Sequence, residues 1–158
     1  MFPLTADMSV APEIARLAEA VLIVPAPPAA PPAPGPDLGG PLTLGTLARR
    51  LRSIAATPER WWGLVRFEPD RSVQVTVEEC AAYRAWLVVL PPGHAGQSCD
   101  CDVATMIAGE PAEGTPAGAV LRPGPVRVHG GRHGLHGRGP GYSISLHARA
   151  HRPVRKKQ

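Results

Sequence analysis

The chain has 158 residues, of which 44% are hydrophobic, and its 17 Lys and Arg against 13 Asp and Glu give a formal net charge of +4. This length is most simply one domain with a modest core, and the apolar content excludes a wholly disordered chain. The sequence has no apolar run long enough to cross a bilayer, and no basic segment followed by an apolar core near its start. We therefore expect a cytoplasmic protein that does not act in a membrane.

The first predicted elements are a helical segment and a proline-rich linker. Ile14, Leu17 and Val21 recur at helical spacing, which predicts a short amphipathic helix within an N-terminal segment over 1–24. Residues 25–42 are rich in Pro, Ala and Gly. This composition is typical of an extended, mobile linker, because it offers no apolar face to pack.

A helical lead-in is predicted over 43–62. Thr43 can cap the helix, and the apolar stripe that follows predicts its buried face. The stripe consists of Leu44, Leu47, Leu51 and Ile54. The arginines at positions 49, 50 and 52 are interpreted as a solvated face. Trp61, Trp62 and Trp86 are expected in the core.

From residue 63 to residue 150 the apolar period falls to two. The valines of 73–77 alternate with polar residues, and so do the apolar residues of 142–147. Gly and Pro turn signals separate these runs. Many short strands with tight turns predict a mainly β fold, namely a small antiparallel β-barrel preceded by short N-terminal helices.

Residues 151–158 form a basic tail, which is predicted to be a solvated end. A nucleic-acid-binding arm is the alternative, but basic residues do not interleave regularly with the few aromatic residues, so nucleic acid is not an expected partner. The sequence specifies no oligomeric state.

The residues best suited to chemistry are Cys99 and Cys101. On an extended strand they share one face and Asp100 takes the other. A disulfide between them is unfavourable on such a strand, so we expect reduced thiols. A histidine from a distant strand would complete a three-ligand site, and two thiolates with one imidazole favour Zn(II) or Cu(I) over Fe(II). Two buried thiols without a metal are the alternative. The sequence has one histidine cluster: His129, His133 and His136.

The spacing from Gly93 through five residues to Cys99-Asp100-Cys101 resembles the first metal motif of cupins, with cysteines where that motif has His-x-His. With its flanking segments the chain resembles the bacterial cysteine dioxygenases, which are non-heme iron cupins, over about residues 56–150. The matching features are Trp61-Trp62, the strand around Trp86, Pro92-Gly93, Arg122-Pro123-Gly124, His136 and Ser145-Leu146-His147.

This resemblance implies a cupin-like barrel, an iron cofactor and a small thiol substrate such as cysteine, oxidised by O2 to a sulfinate. It implies a metal site of Cys99, Cys101 and His136, with Ser145 and His147 as catalytic groups beside it. The ligand atoms of the three metal-site residues should then converge on a common point.

Several residues depart from the pattern of that family. Cysteines replace two ligand histidines, Arg149 stands at a tyrosine position, and Val75 stands where the substrate-binding arginine is expected, with Arg66 and Arg84 as nearby alternatives. These changes favour a degenerate cupin with lost or altered catalysis that serves in binding or interaction. An active metal-dependent thiol dioxygenase is the alternative.

Overall fold

The computed structural model describes residues 33–34 and 42–151. The helix predicted within 1–24, most of the linker predicted over 25–42 and the tail beyond residue 151 lie outside the described residues. Within the linker range, Ala33–Pro34 forms a two-residue strand, β1, which pairs in parallel with Glu78 and Glu79.

The lead-in predicted over 43–62 contains one α-helix, α1 (Leu44–Ala55), followed by two single 3₁₀ turns, Pro58–Arg60 and Trp62–Leu64. The side chain of Thr43 accepts a hydrogen bond from the backbone N–H of Thr46 at 3.1 Å and so caps α1 as expected. No helix in the described ranges is long and apolar enough to span a membrane.

Seven further strands follow α1 and the 3₁₀ turns. They are β2 (Val73–Glu79), β3 (Tyr83–Leu90), β4 (Val103–Ala108), β5 (Ala112–Glu113), β6 (Val126–Val128), β7 (Leu135–His136) and β8 (Ser143–Ala150). The larger sheet has the order β1-β2-β3-β8-β4-β6, and β5 pairs with β7 in a smaller one. Apart from β1 with β2, the paired strands are antiparallel. The predicted mainly β class, with a helix ahead of the barrel strands, is confirmed.

Helix α1 covers one face of the larger sheet. Leu47, Leu51 and Ile54 are at most 1% exposed and pack in one cluster with Leu146 of β8. Burial of each such side chain stabilises the fold by about 1.5–3 kcal/mol. Leu44, the first residue of the predicted stripe, is 49% exposed and adds little.

Strand β8 is buried on both faces, and its two faces differ in chemistry. Ile144, Leu146 and Ala148 belong to the apolar cluster under α1. Ser145 and His147 alternate with them and therefore face the other way, away from α1. The side of the sheet opposite the helix is therefore the polar side of the fold.

Helix α1 is also tied to the sheet through a buried ionic network. Arg50 donates to both carboxylate oxygens of the fully buried Glu78, at 2.8 and 2.6 Å. Arg60 and the hydroxyl of Tyr83 donate to the same carboxylate. Arg50 was expected on a solvated face, and that expectation is wrong because its side chain reaches the carboxylate beneath α1.

The pKa of Glu78 reflects this network. Burial raises the pKa of the carboxyl, but the hydrogen bonds from Arg50 and Tyr83 and the charges of Arg50 and Arg60 outweigh burial, so the pKa lies below its ordinary value. Burial first, and then the hydrogen bond to Glu78, hold the pKa of Tyr83 above its ordinary value, although the hydrogen bond from Arg50 lowers it.

The tryptophans divide between core and surface. Trp61 and Trp86 are buried as expected, whereas Trp62 is 59% exposed and its placement in the core was wrong. The two adjacent rings meet edge to face at 5.9 Å, so Trp62 shields Trp61 from outside.

Candidate metal centre

Four side chains converge on the polar side of the sheet. One ligand atom from each of Cys99, Cys101, His133 and His147 lies within 4.8 Å of the others. Among the residues that the structure describes, this is the one such group of His, Cys, Asp or Glu side chains. The two cysteines meet histidines from two other parts of the chain, so the site is a product of the fold.

Cys99 and His133 are held opposite each other by a reciprocal backbone pair. The N–H of Cys99 donates to the carbonyl of His133 at 2.8 Å, and the N–H of His133 donates to the carbonyl of Cys99 at 3.0 Å. Residues that exchange both hydrogen bonds in an antiparallel pair present their side chains on the same face. Cys101 is 1% exposed, and its sulfur lies on the same side as that of Cys99.

His147 comes from the central strand of the larger sheet, where it pairs with Trp86 of β3 and Ala104 of β4. It is 2% exposed, and its ring stacks on that of Trp86 at 5.7 Å. Its Nε2 lies 2.8 Å from the Oγ of Ser145, which leaves Nδ1 directed at the two sulfurs. A second hydrogen bond of this kind fixes the tautomer of a metal-binding imidazole.

Five of the six distances among the four ligand atoms match the edges of a tetrahedral zinc site. At the usual Zn–S and Zn–N distances, a tetrahedron has edges of about 3.8 Å between two sulfurs and about 3.5 Å between sulfur and nitrogen. The sulfurs of Cys99 and Cys101 are 3.6 Å apart. The Sγ of Cys99 lies 3.3 Å from Nε2 of His133 and 3.4 Å from Nδ1 of His147. The corresponding distances from Cys101 are 3.6 and 3.4 Å.

The electrostatics of the cluster favour bound positive charge. The hydrogen bond between the two sulfurs lowers the pKa of Cys99 and raises that of Cys101, because two adjacent buried thiols do not both ionise readily. Burial lowers the pKa of His133, but the hydrogen bond to Cys99, the charge of Cys99 and smaller contributions together outweigh burial, so the pKa rises. A divalent cation would allow both thiols to ionise and both imidazoles to stay neutral.

His133 is packed against a second group of side chains that are not themselves in the cluster. The ring of His129 stacks on that of His133 at 3.7 Å, and its Nδ1 lies 3.5 Å from Oε1 of Glu113. Burial, and then the charge of His133, lower the pKa of His129. These contacts fix the ring plane of His133 toward the sulfurs.

Of the residues singled out in the sequence, the structure brings together Cys99, Cys101 and His147, with Ser145 bonded to His147. His133 stands in the place predicted for His136, which is not in the cluster. His136 pairs instead with Ala112 and Ala95, and its Nδ1 lies 3.2 Å from the carbonyl of Gly137.

The exchange between the two histidines follows from the register of the strand pairing. His133 is paired opposite Cys99, and side chains alternate along an extended segment, so a residue three positions further on takes the other face. The one sequence signal for His133 as a ligand is its place in the histidine cluster. Asp100 points away from the cluster as expected, and its carboxylate lies 3.1 Å from Arg149.

The cavities beside the two histidines of the cluster are small, and the groove beside Cys99 is much larger. Two voids of about 10 Å³ each touch His133 and His147, and a void of this size holds about one water molecule. A groove of about 500 Å³ borders Cys99 on the other side, with Arg84 and Trp86 in its wall. A second groove, of about 550 Å³, borders Cys101 and His129, but Cys101 is 1% exposed, so of the two sulfurs that of Cys99 is the more accessible.

Comparisons with known proteins give structural neighbours and no sequence relative. No protein-family model matches the chain, and no curated protein matches it. It is similar to TT1209 from Thermus thermophilus, at 24% identity over 57% of this chain and 92% of that chain, with a TM-score of 0.47. It is also similar to an uncharacterized conserved protein with a double-stranded β-helix domain from Klebsiella pneumoniae, at 22% identity over 53% and 80% of the chains, with a TM-score of 0.47. A cupin domain from Bordetella pertussis is similar at 14% identity over 55% and 100%, with a TM-score of 0.43.

Proposed function

We propose that this chain is a cupin-like protein that binds Zn²⁺ through Cys99, Cys101, His133 and His147. The observation that carries the proposal is the match of five ligand-to-ligand distances, 3.3 to 3.6 Å, to the edges of a zinc tetrahedron. Zn²⁺ is the divalent ion expected for two thiolates and two imidazoles in this geometry. Bound there, the ion would supply charge compensation and a cross-link between β8 and the segments that carry the other ligands.

A site of four protein ligands points to a binding or structural role. Catalytic zinc sites keep one position for water or substrate, and structural sites are closed by four side chains. His147 is oriented by Ser145 and His133 by the stacked ring of His129, so neither imidazole is positioned to leave. The chain is then a degenerate relative of the cysteine dioxygenases in which thiol oxidation has been lost.

The surroundings of the candidate substrate-binding arginines support the loss of that activity. Arg84 donates to the Oγ of Thr76 at 3.0 and 2.7 Å, and Arg66 donates to the carbonyls of Gly63 and Val65 at 2.9 and 2.8 Å. Both guanidinium groups are engaged away from the inner voids. Thiolate ligands also require reducing conditions, which supports the cytoplasm as the compartment.

Metal analysis of the protein purified without added metal tests the proposal. We expect about one zinc per chain, little iron, and no cysteine-dependent O2 uptake. His133→Ala should lose the zinc, because it removes one of the four ligands. His136→Ala is the matched control, since it changes a histidine three residues away and should keep the zinc. Stoichiometric iron with sulfinate production would instead establish the active thiol dioxygenase, and zinc retained in His133→Ala would refute the ligand set.

A further inference from the structure

The two cysteines of the centre differ in their access to solvent. Cys101 is 1% exposed, whereas Cys99 is half-buried and borders the 500 Å³ groove. Arg84, Arg149, Glu79 and Asp100 also line this groove. Because Asp100 pairs with Arg149 and Arg84 lies 5.9 Å from the ring of Trp86, the wall beside Cys99 is held in place by defined contacts. Oxidation of a cysteine requires that the oxidant reach its sulfur, and of these two cysteines Cys99 is the partly exposed one.

We propose that Cys99 and Cys101 are a peroxide-oxidisable dithiol, in which Cys99 is attacked from the groove and Cys101 closes a disulfide that releases the metal. This inference rests on the proposed zinc site, because release presupposes that both sulfurs are ligands. It adds to that site a defined modification and a defined class of reactant, a hydroperoxide.

The first step takes place at Cys99. Its sulfur bonds to the outer oxygen of the hydroperoxide, and the O–O bond breaks. The sulfur loses two electrons and becomes a sulfenic acid, while the peroxide gains them and leaves, with a proton, as water or an alcohol. The groove admits the peroxide to Cys99, and the burial of Cys101 keeps that sulfur from being attacked first.

The second step joins the two sulfurs. The Sγ of Cys101 attacks the Sγ of Cys99, the S–O bond breaks, and hydroxide takes up a proton and leaves as water. The sulfurs already lie 3.6 Å apart. A disulfide between alternate residues of a regular strand is unfavourable, but Cys99 is held by an isolated bridge to His133 and strand β4 begins at Val103, so residues 100 and 101 lie outside a continuous ladder. The metal loses two thiolate ligands at once and keeps only imidazoles.

The test treats the zinc-loaded full chain with hydrogen peroxide and follows zinc release and intact mass together. We expect a loss of about 2 Da, the mass of two hydrogens, together with release of about one zinc per chain. Trypsin cleaves after Arg84, so the loss should be found in the peptide that contains Cys99 and Cys101 and not in the peptide of Cys80. Cys80→Ser is the matched control and should give the same mass loss and zinc release.

Cys101→Ser separates the two steps. Without the second thiol, Cys99 should gain about 16 or 32 Da from added oxygen and form no disulfide. Oxidation found first at Cys80, or at Cys101 while Cys99 stays reduced, would overturn the proposal. Protein that holds zinc and keeps both metal and thiols in peroxide would refute this inference alone, whereas protein purified without zinc would refute the proposed function.

Discussion

Ser145 determines which nitrogen of His147 faces the sulfurs. Its Oγ lies 2.8 Å from Nε2, so that a proton on Nε2 leaves the lone pair of Nδ1 for a metal. The same strand holds a second buried serine, Ser143, whose Oγ makes no hydrogen bond to a described residue. The two serines lie on the same face of β8 and are equally buried, at 2% exposed, but only Ser145 makes a side-chain hydrogen bond to a described residue.

We predict that Ser145→Ala lowers zinc affinity by about 10–100-fold, the usual effect of removing a group that orients a metal-binding histidine. Ser143→Ala should leave the affinity close to that of the unchanged protein. Competition against a chromogenic zinc chelator measures both constants. Equal affinities in the two variants would show that the hydrogen bond to His147 does not orient the ligand.

The histidines show how far single residues could be assigned from sequence. The cysteine pair was evident because its spacing matches a local motif, and His147 because it alternates within a clear strand. The choice between His133 and His136 depends on which residue pairs opposite Cys99. That register is set by hydrogen bonds between segments more than thirty residues apart, and composition and periodicity contain no record of it.

At the scale of elements, the helix and most strands were predictable because each follows a period of the apolar residues. The link between α1 and β2 was not. Arg50 looks like any surface arginine of an amphipathic helix, and Glu78 like a polar residue at a strand end. Their pairing appears only in the folded chain, where the side chain of Arg50 reaches Glu78, which follows a register shift in β2.

We predict that Glu78→Gln destabilises the fold by about 1–3 kcal/mol at pH 7, because it leaves the partly buried guanidinium groups of Arg50 and Arg60 without a counter-charge. The pKa of Glu78 is lower in the folded state than in the unfolded state. The ionised carboxylate therefore stabilises the fold fully above the ordinary carboxyl pKa, and this contribution is lost as the pH falls through the pKa of the folded state. The difference between the variant and the unchanged protein should therefore narrow below about pH 4.

Urea unfolding at several pH values measures this difference. Glu59→Gln, a change at an exposed glutamate next to Arg60, is the control and should alter stability little. A gap between Glu78→Gln and the unchanged protein that stays constant down to about pH 3 would contradict the ionised state of Glu78.

At the scale of the whole molecule, the metal centre joins parts of the fold that the apolar core does not. The main apolar cluster lies between α1 and the sheet. Among the described residues, the opposite side has smaller apolar clusters, one of Trp86, Cys101 and Ala104 and one of Leu90, Met106, Leu121 and Leu135. The proposed centre would add a further link between the sheet and the segments carrying Cys99 and His133.

We predict that removal of zinc lowers the thermal stability of the protein. A ligand at about 1,000 times its dissociation constant stabilises the folded state by about 4.1 kcal/mol, so the unfolding temperature should rise measurably on adding zinc to the metal-free protein. Scanning calorimetry measures this shift. Adding zinc should raise the unfolding temperature of His133→Ala little and that of His136→Ala as much as that of the unchanged protein. An equal rise in both variants would show that the stabilising zinc binds elsewhere.

The order of the ligands along the chain has a consequence for biosynthesis. The two cysteines leave the ribosome before His147, which follows Cys101 by 46 residues and lies near the middle of β8. A nascent chain therefore has its soft thiolates exposed well before it can enclose an ion. Metal capture must wait until β8 has inserted between β3 and β4, so the rate at which zinc is taken up should report the closing of the sheet.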